Sequence, residues 1–306
     1  MRILLFLLIA TPLFAQKSNY LFSYFKNNGQ DGLHLAHSTD GLNWTALKGD
    51  SSFLTPTVSK DKLMRDPCIL RGHDGLFRMV WTVSWNAKGI GYAESKDLVH
   101  WSEQRYIPVM EHEANALNCW APEVIYDKRG KEYLIFWATT ITGRFQQGQG
   151  AGDEKYNHRM YCTHTKDFKT FSPTALFYDP NFNVIDATIV QEKGEFVMIL
   201  KDETKNPVQK NLKIATTKDL KMGFSAASEP FSRNWVEGPT LLKIGKKWTV
   251  YFDEYTRHKY GAMQTTDFKT WTDISEQIHF PNGLRHGTAF EVTEKEYKQI
   301  INQLAH

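Results

Sequence analysis

Short apolar runs, each introduced by polar or small residues, recur along this chain of 306 residues. Four of them are followed by a Gly-containing turn and then by a second run rich in β-branched and aromatic residues. That order predicts a β-hairpin, because these residue types suit the pleated, half-buried surface of a strand. The runs that begin the units are RDPCIL (65–70), WAPEVIY (120–126), IDATIV (185–190), VEGPTLL (236–242) and RHGTAFEV (285–292).

A second motif recurs in step with the first and consists of Ser or Thr, an Asp two residues later and a closing aromatic residue. An Asp in such a turn accepts hydrogen bonds from backbone N–H groups two residues on. We therefore interpret all five copies as structural turns whose aromatic residue packs between neighbouring sheets. The copies are STDGLNW (38–44), SKDLVHW (95–101), TKDFKTF (165–171), TKDLKMGF (217–224) and TTDFKTW (265–271).

The two motifs together predict an all-β fold, a five-bladed β-propeller with four strands in each blade. A third β-rich run precedes four of the Asp turns, and the turn leads into the fourth strand. The N-terminal run NYLFSYF (19–25) has outer strands but no starting strand, whereas RHGTAFEV (285–292) has a starting strand but no outer ones. The two termini should therefore share one blade and close the ring. We expect residues 16–306 to form a single catalytic domain, with the tail from 294 as a short helix outside it.

The first fifteen residues, MRILLFLLIATPLFA, resemble a signal peptide cleaved before Gln16, with an apolar core too short to span a bilayer. The sequence thus predicts an exported protein, periplasmic or secreted. The 37 Lys and Arg against 34 Asp and Glu give a formal net charge of +3, and no basic cluster points to nucleic acid. No later segment is long and apolar enough for a membrane helix, so we expect neither a nucleic-acid nor a membrane partner.

The three cysteines are Cys68, Cys119 and Cys162, an odd number without a CxxC pair. This argues against a zinc site and against a disulfide-built scaffold. A bridge between Cys68 and Cys119 is an open alternative, and free thiols are favoured because starting strands lie far apart near a propeller axis.

Aligning the starting strands brings acidic residues together. Asp66 and Asp186 fall in the same register, Glu237 one place earlier, and His286 near the same level. Because the innermost strands of all blades run the same way, these side chains should converge at one mouth of the central channel. Each Asp alone could simply cap a turn. Carboxyl groups held close raise one another's pKa, and glycoside cleavage needs one protonated and one ionised carboxyl group.

The ordered set RDP, WAPE, IDA, VEGP and RHG is similar to glycoside hydrolase family 43, five-bladed propellers that act mainly on arabinose- and xylose-containing glycans. The resemblance implies that Asp66 is the general base, Glu237 the general acid and Asp186 the residue that tunes and orients the acid. It also implies inversion, with base and acid roughly 6.5 to 9.5 Å apart. The family's middle motif is more often Ile-Asp-Pro than the Ile-Asp-Ala found here. Fructan-cleaving families share RDP, but their Asn-Asp-Pro and Glu-Cys motifs are missing.

By this resemblance we expect an α-L-arabinofuranosidase, with a β-D-xylosidase or a non-catalytic sugar-binding propeller as alternatives. Trp120, Trp235, Arg285 and His286 are predicted to bind substrate, and Arg285 could instead pair with a catalytic acid. We interpret Glu123 as structural and the Gly- and Gln-rich segment 142–158 as a specificity loop. No cofactor is expected to be required, and a structural calcium ion near His286 is an open alternative.

Overall fold

The computed structural model describes residues 18–146, 148, 152 and 155–305, so the predicted signal peptide lies outside the described residues. These residues form twenty strands, two 3-10 turns (Lys48–Asp50 and Ser275–Gln277) and one α-helix, α1 (Glu294–Leu304). In the described part of the chain, no helix is long and apolar enough to cross a membrane.

Five antiparallel sheets carry these strands, and each is a blade of a β-propeller. Blade 1 holds β4 (Arg65–Arg71), β5 (Phe77–Thr82), β6 (Ile90–Ser95) and β7 (Arg105–Ile107); blade 2 holds β8 (Trp120–Asp127), β9 (Glu132–Thr139), β10 (Arg159–Thr165) and β11 (Ala175–Tyr178). Blade 3 holds β12 (Val184–Glu192), β13 (Glu195–Asp202) and β14 (Asn211–Thr217); blade 4 holds β15 (Glu237–Ile244), β16 (Lys247–Glu254), β17 (Lys259–Thr265) and β18 (Thr272–Asp273). Blade 5 combines β20 (Ala289–Val292) and β19 (Leu284–Arg285) with β1 (Asn19–Lys26), β2 (His34–Ser38) and β3 (Thr45–Ala46).

The hydrophobic core lies between neighbouring blades, and the period of two along the strands explains it. In β9, Ile135 and Trp137 belong to a cluster shared with blade 1, whereas Leu134 and Phe136 belong to one shared with blade 3. Successive side chains of a strand point to opposite faces of its sheet. A strand that lies between two other blades is therefore apolar at almost every position, which is the pattern of the predicted second runs.

The shared closing blade is confirmed. Strand β20 pairs antiparallel with β1, from Ala289 opposite Phe22 to Val292 opposite Asn19. The predicted C-terminal helix is α1, which begins with a capping box between Thr293 and Glu296. Its Ile300 is buried in a cluster between blades 5 and 1, so the helix packs against the outside of the ring at its closure.

The repeated Asp turns have the predicted structural role. In the first copy, Asp40 Oδ1 accepts hydrogen bonds from the N–H groups of Leu42 and Asn43 at 2.7 and 2.8 Å, and Ser38 Oγ accepts from Gly41 N–H. Asp97, Asp167 and Asp267 accept the same pair of bonds, and Asp219 accepts one. The closing Trp44 is buried between blades 4 and 5.

Blade 3 departs from the predicted four strands. Among the described residues its sheet ends at β14, and the segment beyond it donates backbone N–H groups to β14 carbonyls but accepts from β14 through serine hydroxyls. The hydroxyls of Ser225, Ser228 and Ser232 accept from alternate N–H groups of β14, at 2.8 to 3.0 Å. Their uneven spacing, together with Pro230, prevents a regular ladder, because a strand pairs every second residue.

Candidate active site

A β-bulge at the start of each of the first four innermost strands sets the geometry of the site. Pairing with the second strand skips two residues after Arg65, Trp120, Ile185 and Glu237. The residue that follows each of them has a positive φ, between 44° and 57°: Asp66, Ala121, Asp186 and Gly238. Asp66 and Asp186 are therefore equivalent positions and Glu237 stands one place earlier, which is the register that the sequence predicts.

The bulges turn these side chains into one cleft of about 630 Å³. Asp66, Asp186, Glu237 and His286 all line it, although they come from four different blades. The structure thus brings together all three predicted catalytic carboxyl groups and the predicted histidine, while their catalytic roles stay predictions.

Asp66 is held in its ionised form. Thr82 Oγ1 donates to its Oδ2 at 2.8 Å, and His286 Nδ1 lies 3.4 Å from its Oδ1. Burial alone would raise the pKa of Asp66, but the hydrogen bond and charge of His286 and the charge of Arg65 outweigh it and lower the pKa to about 2. Asp66 is therefore a carboxylate at every pH at which the protein would be expected to work.

Glu237 has two cationic partners. Lys201 Nζ lies 3.1 Å from its Oε2, and Arg285 Nη2 donates to its Oε1 at 2.9 Å. Burial acts to raise the pKa of Glu237, but the charges of Lys201 and Arg285 prevail and hold it below the usual value. The expectation that clustering keeps this acid protonated near neutral pH is thus wrong for the free protein, because these two cations offset the neighbouring carboxylates.

Asp186 carries the raised pKa instead. Its Oδ2 accepts from the N–H of Gly238 at 3.0 Å, so it lies beside the backbone of Glu237. Burial, opposed by His286 and Lys201 and reinforced by the charges of Glu237 and Asp66, raises the pKa of Asp186 to about 6. Below about pH 6 a proton is therefore held on Asp186, beside Glu237.

Below these groups, His286 is buried among acids. Its pKa is raised to about 9, because the hydrogen bond to Asp66 and the charges of Asp186, Asp66 and Glu123 outweigh burial. Glu123 accepts from Thr188 Oγ1 at 3.1 Å, and burial raises its pKa to about 7. Among the described residues no group of His, Cys, Asp and Glu side chains is arranged to hold a metal ion. The calcium ion considered from the sequence stays an alternative.

Three aromatic side chains, Trp85, Trp120 and Tyr156, also line the cleft, and we call them the aromatic wall. Trp120 donates from Nε1 to the carbonyl of Trp85 at 2.9 Å and packs on Tyr156, with ring centroids 4.7 Å apart. Arg65 lies over the rings of Trp85 and Phe25, at 4.2 and 4.7 Å. Trp85 was missed in the sequence because it belongs to no repeated motif, whereas Tyr156 lies in the segment 142–158 predicted as a specificity loop.

The three other predicted binding residues differ in outcome. Trp120 and Arg285 line the cleft, but Trp235 does not. The Trp235 ring instead packs edge-on against Tyr255 at 6.3 Å, and its backbone has a positive φ of 65°. Arg285 forms a salt bridge to Glu237, a predicted catalytic acid, which is the alternative that the sequence left open.

The specificity loop predicted over residues 142–158 lies only partly in the described chain. Its last residues line the cleft, where His158 contacts Asn118 through Nε2 and Asn183 through Nδ1. Burial lowers the pKa of His158 to about 3, so this histidine is neutral. Residues 147, 149–151 and 153–154 lie outside the described part. All three cysteines are buried and free, so Cys68 and Cys119 are not bridged.

Comparison with known proteins identifies a family and similar solved structures. The family model described as "Probable glycosyl hydrolase domain", related to glycoside hydrolase family 43, matches residues 16–298. No curated protein sequence matches the chain. Among solved structures, a thermostable family-43 glycoside hydrolase is 17% identical with a TM-score of 0.52, and covers 69% of this chain and 71% of its own.

Two other solved structures share the fold. An α-L-arabinofuranosidase from Lactobacillus brevis is 19% identical with a TM-score of 0.51, over 69% of this chain and 72% of its own. An exo-β-1,3-galactanase from Phanerochaete chrysosporium, solved with galactose, is 15% identical with a TM-score of 0.53, over 69% of this chain and 49% of its own. At such identities these likenesses show the fold alone.

Proposed function

This chain belongs to the glycosyl hydrolase family related to glycoside hydrolase family 43 and is a glycoside hydrolase, and from that premise we propose that it is an exported, inverting exo-enzyme. The observation that carries the mechanism is the charge state of the three carboxyl groups in the cleft. The pKa of Asp66 is lowered to about 2, that of Glu237 lies below its usual value, and that of Asp186 is raised to about 6, so that below this pH a proton is held beside Glu237. Inverting hydrolysis needs a carboxylate to activate water and a proton donor for the leaving oxygen.

Asp66 takes the role of general base. With its pKa lowered to about 2, it is free to accept a proton from a water molecule that attacks the anomeric carbon. Thr82 and His286 fix its orientation through its two oxygens. His286 therefore acts as a positioning residue rather than as a proton donor.

Glu237 takes the role of general acid, with Asp186 as its proton reservoir. In the free protein Asp186 holds a proton below about pH 6, while Lys201 and Arg285 keep Glu237 ionised. A bound glycan excludes water and brings its leaving oxygen to Glu237. We propose that this raises the pKa of Glu237, so that the proton passes from Asp186 to Glu237, which then delivers it to the leaving oxygen.

The substrate we propose is a terminal α-L-arabinofuranoside, with β-D-xyloside as the alternative. The aromatic wall of Trp85, Trp120 and Tyr156 supports a sugar ring, because the C–H faces of sugars stack on aromatic rings. The names of solved family-43 structures include an arabinofuranosidase and β-1,3-galactosidases. A β-galactoside therefore belongs in the test. A non-catalytic sugar-binding propeller would not need the three carboxyl groups that converge here.

Export rests on the leader alone. Residues 1–15 have the basic start, short apolar core and small final residue of a signal peptide. We propose that the mature enzyme begins near Gln16 and works outside the cytoplasm, where polymeric glycans are met. Sequencing of the N-terminus of protein purified from the periplasm or medium tests this directly.

The test of the function compares the mature chain with Glu237→Gln on three 4-nitrophenyl glycosides, the α-L-arabinofuranoside, the β-D-xyloside and the β-D-galactoside, and on matching disaccharides. We expect one sugar to be released. Removing the acid should reduce kcat on the disaccharide by roughly 10²- to 10⁴-fold. The loss on the nitrophenyl glycoside should be smaller, because nitrophenolate leaves without a proton.

The matched control is Glu103→Gln, which removes an exposed carboxylate outside the cleft. It should change neither rate. Release of a sugar that is equally fast in Glu237→Gln on both kinds of substrate would refute Glu237 as the acid, and no release of any sugar would favour the binding protein.

A further inference from the structure

A second cleft lies on the far side of Arg285 from the active site. We call it the side cleft and define it by the β16–β17 turn, the inner part of β17 and the segment 278–285. Its volume is about 570 Å³, close to the 630 Å³ of the active-site cleft. Among the residues that line either cleft, Arg285 is the one they share, so its guanidinium is the partition between them.

The partition is fixed from both sides. Arg285 donates from Nη2 to Glu237 at 2.9 Å and from Nε to Asp253 at 2.5 Å. Asp253 pairs across the sheet with Glu237 and lines the side cleft, so it is buried on the side of the partition away from the active-site cleft. A molecule that occupies both clefts would pass directly over Arg285 and Glu237.

The walls of the side cleft suit a neutral, hydroxyl-rich ligand. Its charges are already matched, since Lys259 Nζ lies 3.0 Å from Glu276 and Arg285 contacts Asp253. Tyr260 lines the cleft, is only 7% exposed, and its hydroxyl has no hydrogen-bond partner among the described residues. A buried hydroxyl without a partner costs free energy, and a small shift of the Tyr260 side chain toward a ligand hydroxyl in the cleft would recover it. The ring of Tyr255 and the exposed amide of Asn282 complete a surface of the kind that binds sugars.

We propose that the side cleft is a second carbohydrate-binding site, which holds the leaving-group sugars of the glycan whose terminal residue enters the active-site cleft. The assignment of the side cleft to the leaving-group sugars follows from the position of the general acid, and so it rests on the proposed function. Glu237 must lie beside the leaving oxygen to protonate it. Arg285 contacts Glu237, so the space beyond Arg285 is on the leaving-group side. The enzyme should therefore prefer oligosaccharides of two to four sugars to simple glycosides.

The experiment fills the side cleft without touching the acids. Asn282→Trp places a large ring in it, and Asn282 is exposed, so the protein should fold. The matched control is Asn302→Trp on the exposed face of α1. We measure kcat/KM on the nitrophenyl glycoside of the cleaved sugar and on α-1,5-arabino- and β-1,4-xylo-oligosaccharides of two to four sugars. The ratio of oligosaccharide to nitrophenyl values should fall at least fivefold in Asn282→Trp and stay unchanged in Asn302→Trp. An unchanged ratio in Asn282→Trp would overturn the proposal.

A binding measurement separates this proposal from the proposed function. Calorimetric titration of Glu237→Gln with the same oligosaccharides should show binding that weakens at least fivefold when Asn282→Trp or Tyr260→Phe is added. If no glycoside is hydrolysed but binding still depends on Asn282 and Tyr260, the hydrolytic role fails and the second site stands. If hydrolysis occurs and neither variant changes oligosaccharide affinity, the side cleft is not a sugar site.

Discussion

At the scale of single residues, Lys201 decides the charge of the site. Its ammonium is 1% exposed and lies 2.6 Å from Glu203 and 3.1 Å from Glu237. It stands at the end of the apolar run EFVMIL, a place where a charged residue costs free energy unless it is paired. That mismatch between a lysine and a buried strand is the signal that could have identified it from the sequence.

Lys201→Met removes one of the two cations that lower the pKa of Glu237. Its pKa should therefore rise, and the basic limb of the pH dependence of kcat/KM, which reports loss of the acid's proton, should move to higher pH. Glu203 keeps Lys210 as a partner, so the variant leaves no carboxylate alone there. The measurement is the pH profile of Lys201→Met beside that of Lys243→Met, which breaks an exposed pair with Glu192 and should leave the profile unmoved. A basic limb that stays in place in folded Lys201→Met would contradict the account.

The positions of Asp66, Asp186 and Glu237 could be predicted because they occupy corresponding places in repeated strands. The protonation pattern could not. It depends on Lys201, which reaches Glu237 from the second strand of the preceding blade, 36 positions earlier. The place of Trp85 in the cleft could not be predicted for a similar reason, since it depends on the path of a loop rather than on a repeat.

At the scale of elements, the Asp turns contribute to stability in a pH-dependent way. Burial opposes the shift, but hydrogen bonds from Asn43, Leu42 and Ser38 lower the pKa of Asp40 from 3.8 to about 2. A lowered carboxyl pKa adds stability above the unfolded value, and that stability is lost as the pH falls through the folded value. Its contribution should thus be complete above about pH 4 and vanish near pH 2.

Asp40→Ala should lower the free energy of unfolding at pH 7 by about 1 kcal/mol. The N–H groups of Leu42 and Asn43 lose the carboxylate that accepts their hydrogen bonds, and both bonds are exposed, which keeps the loss small. Urea unfolding at pH 7 and at pH 2.5 measures it, with Glu229→Ala, an exposed acid, as the control. The difference between wild type and Asp40→Ala should shrink at the lower pH. A difference that grows there would show that the turn is not stabilised by the carboxylate.

Most elements could be predicted, and the exceptions have local causes. The hairpins and the Asp turns follow from the alternation of residue types and from turn chemistry. The missing fourth strand of blade 3 does not, because the hydroxyls of Ser225, Ser228 and Ser232 take the place of backbone carbonyls as acceptors for the N–H groups of β14. The bulges were not predicted either, since Asp66 and Ala121 give no sign in the sequence of their positive φ.

At the scale of the whole molecule, the ring closes where the C-terminal strands β19 and β20 pair with β1, and β20 makes the longer pairing. Ending the chain at Gly287 removes β20, the innermost strand of blade 5, and exposes β1. We expect this protein not to fold cooperatively. Ending it at Thr293 removes only α1, whose Ile300 is buried, so we expect a folded but less stable ring. Thermal unfolding followed by circular dichroism compares the two, and a cooperative transition in the shorter chain would contradict closure by β20.

The five-bladed architecture could be predicted as a whole because the starting strands and Asp turns are each present five times. The side cleft could not, because its walls are the β16–β17 turn of blade 4 and the irregular segment 278–285 that leads into blade 5, and neither belongs to a repeated motif. Substrate preference is likewise a property of the whole molecule. It depends on which loops meet above the axis, and loop contacts leave no period in a sequence.

The measurement that tests the central claim most directly is the anomeric form of the first sugar released, followed by proton NMR during hydrolysis of the glycoside that the enzyme prefers. Asp66 as a base that activates water and Glu237 as the acid predict a product of inverted configuration. That signal should appear before mutarotation mixes the anomers and should be lost in Glu237→Gln. A product that first appears with retained configuration would mean that a carboxylate attacks the sugar directly and would contradict the roles given to these residues.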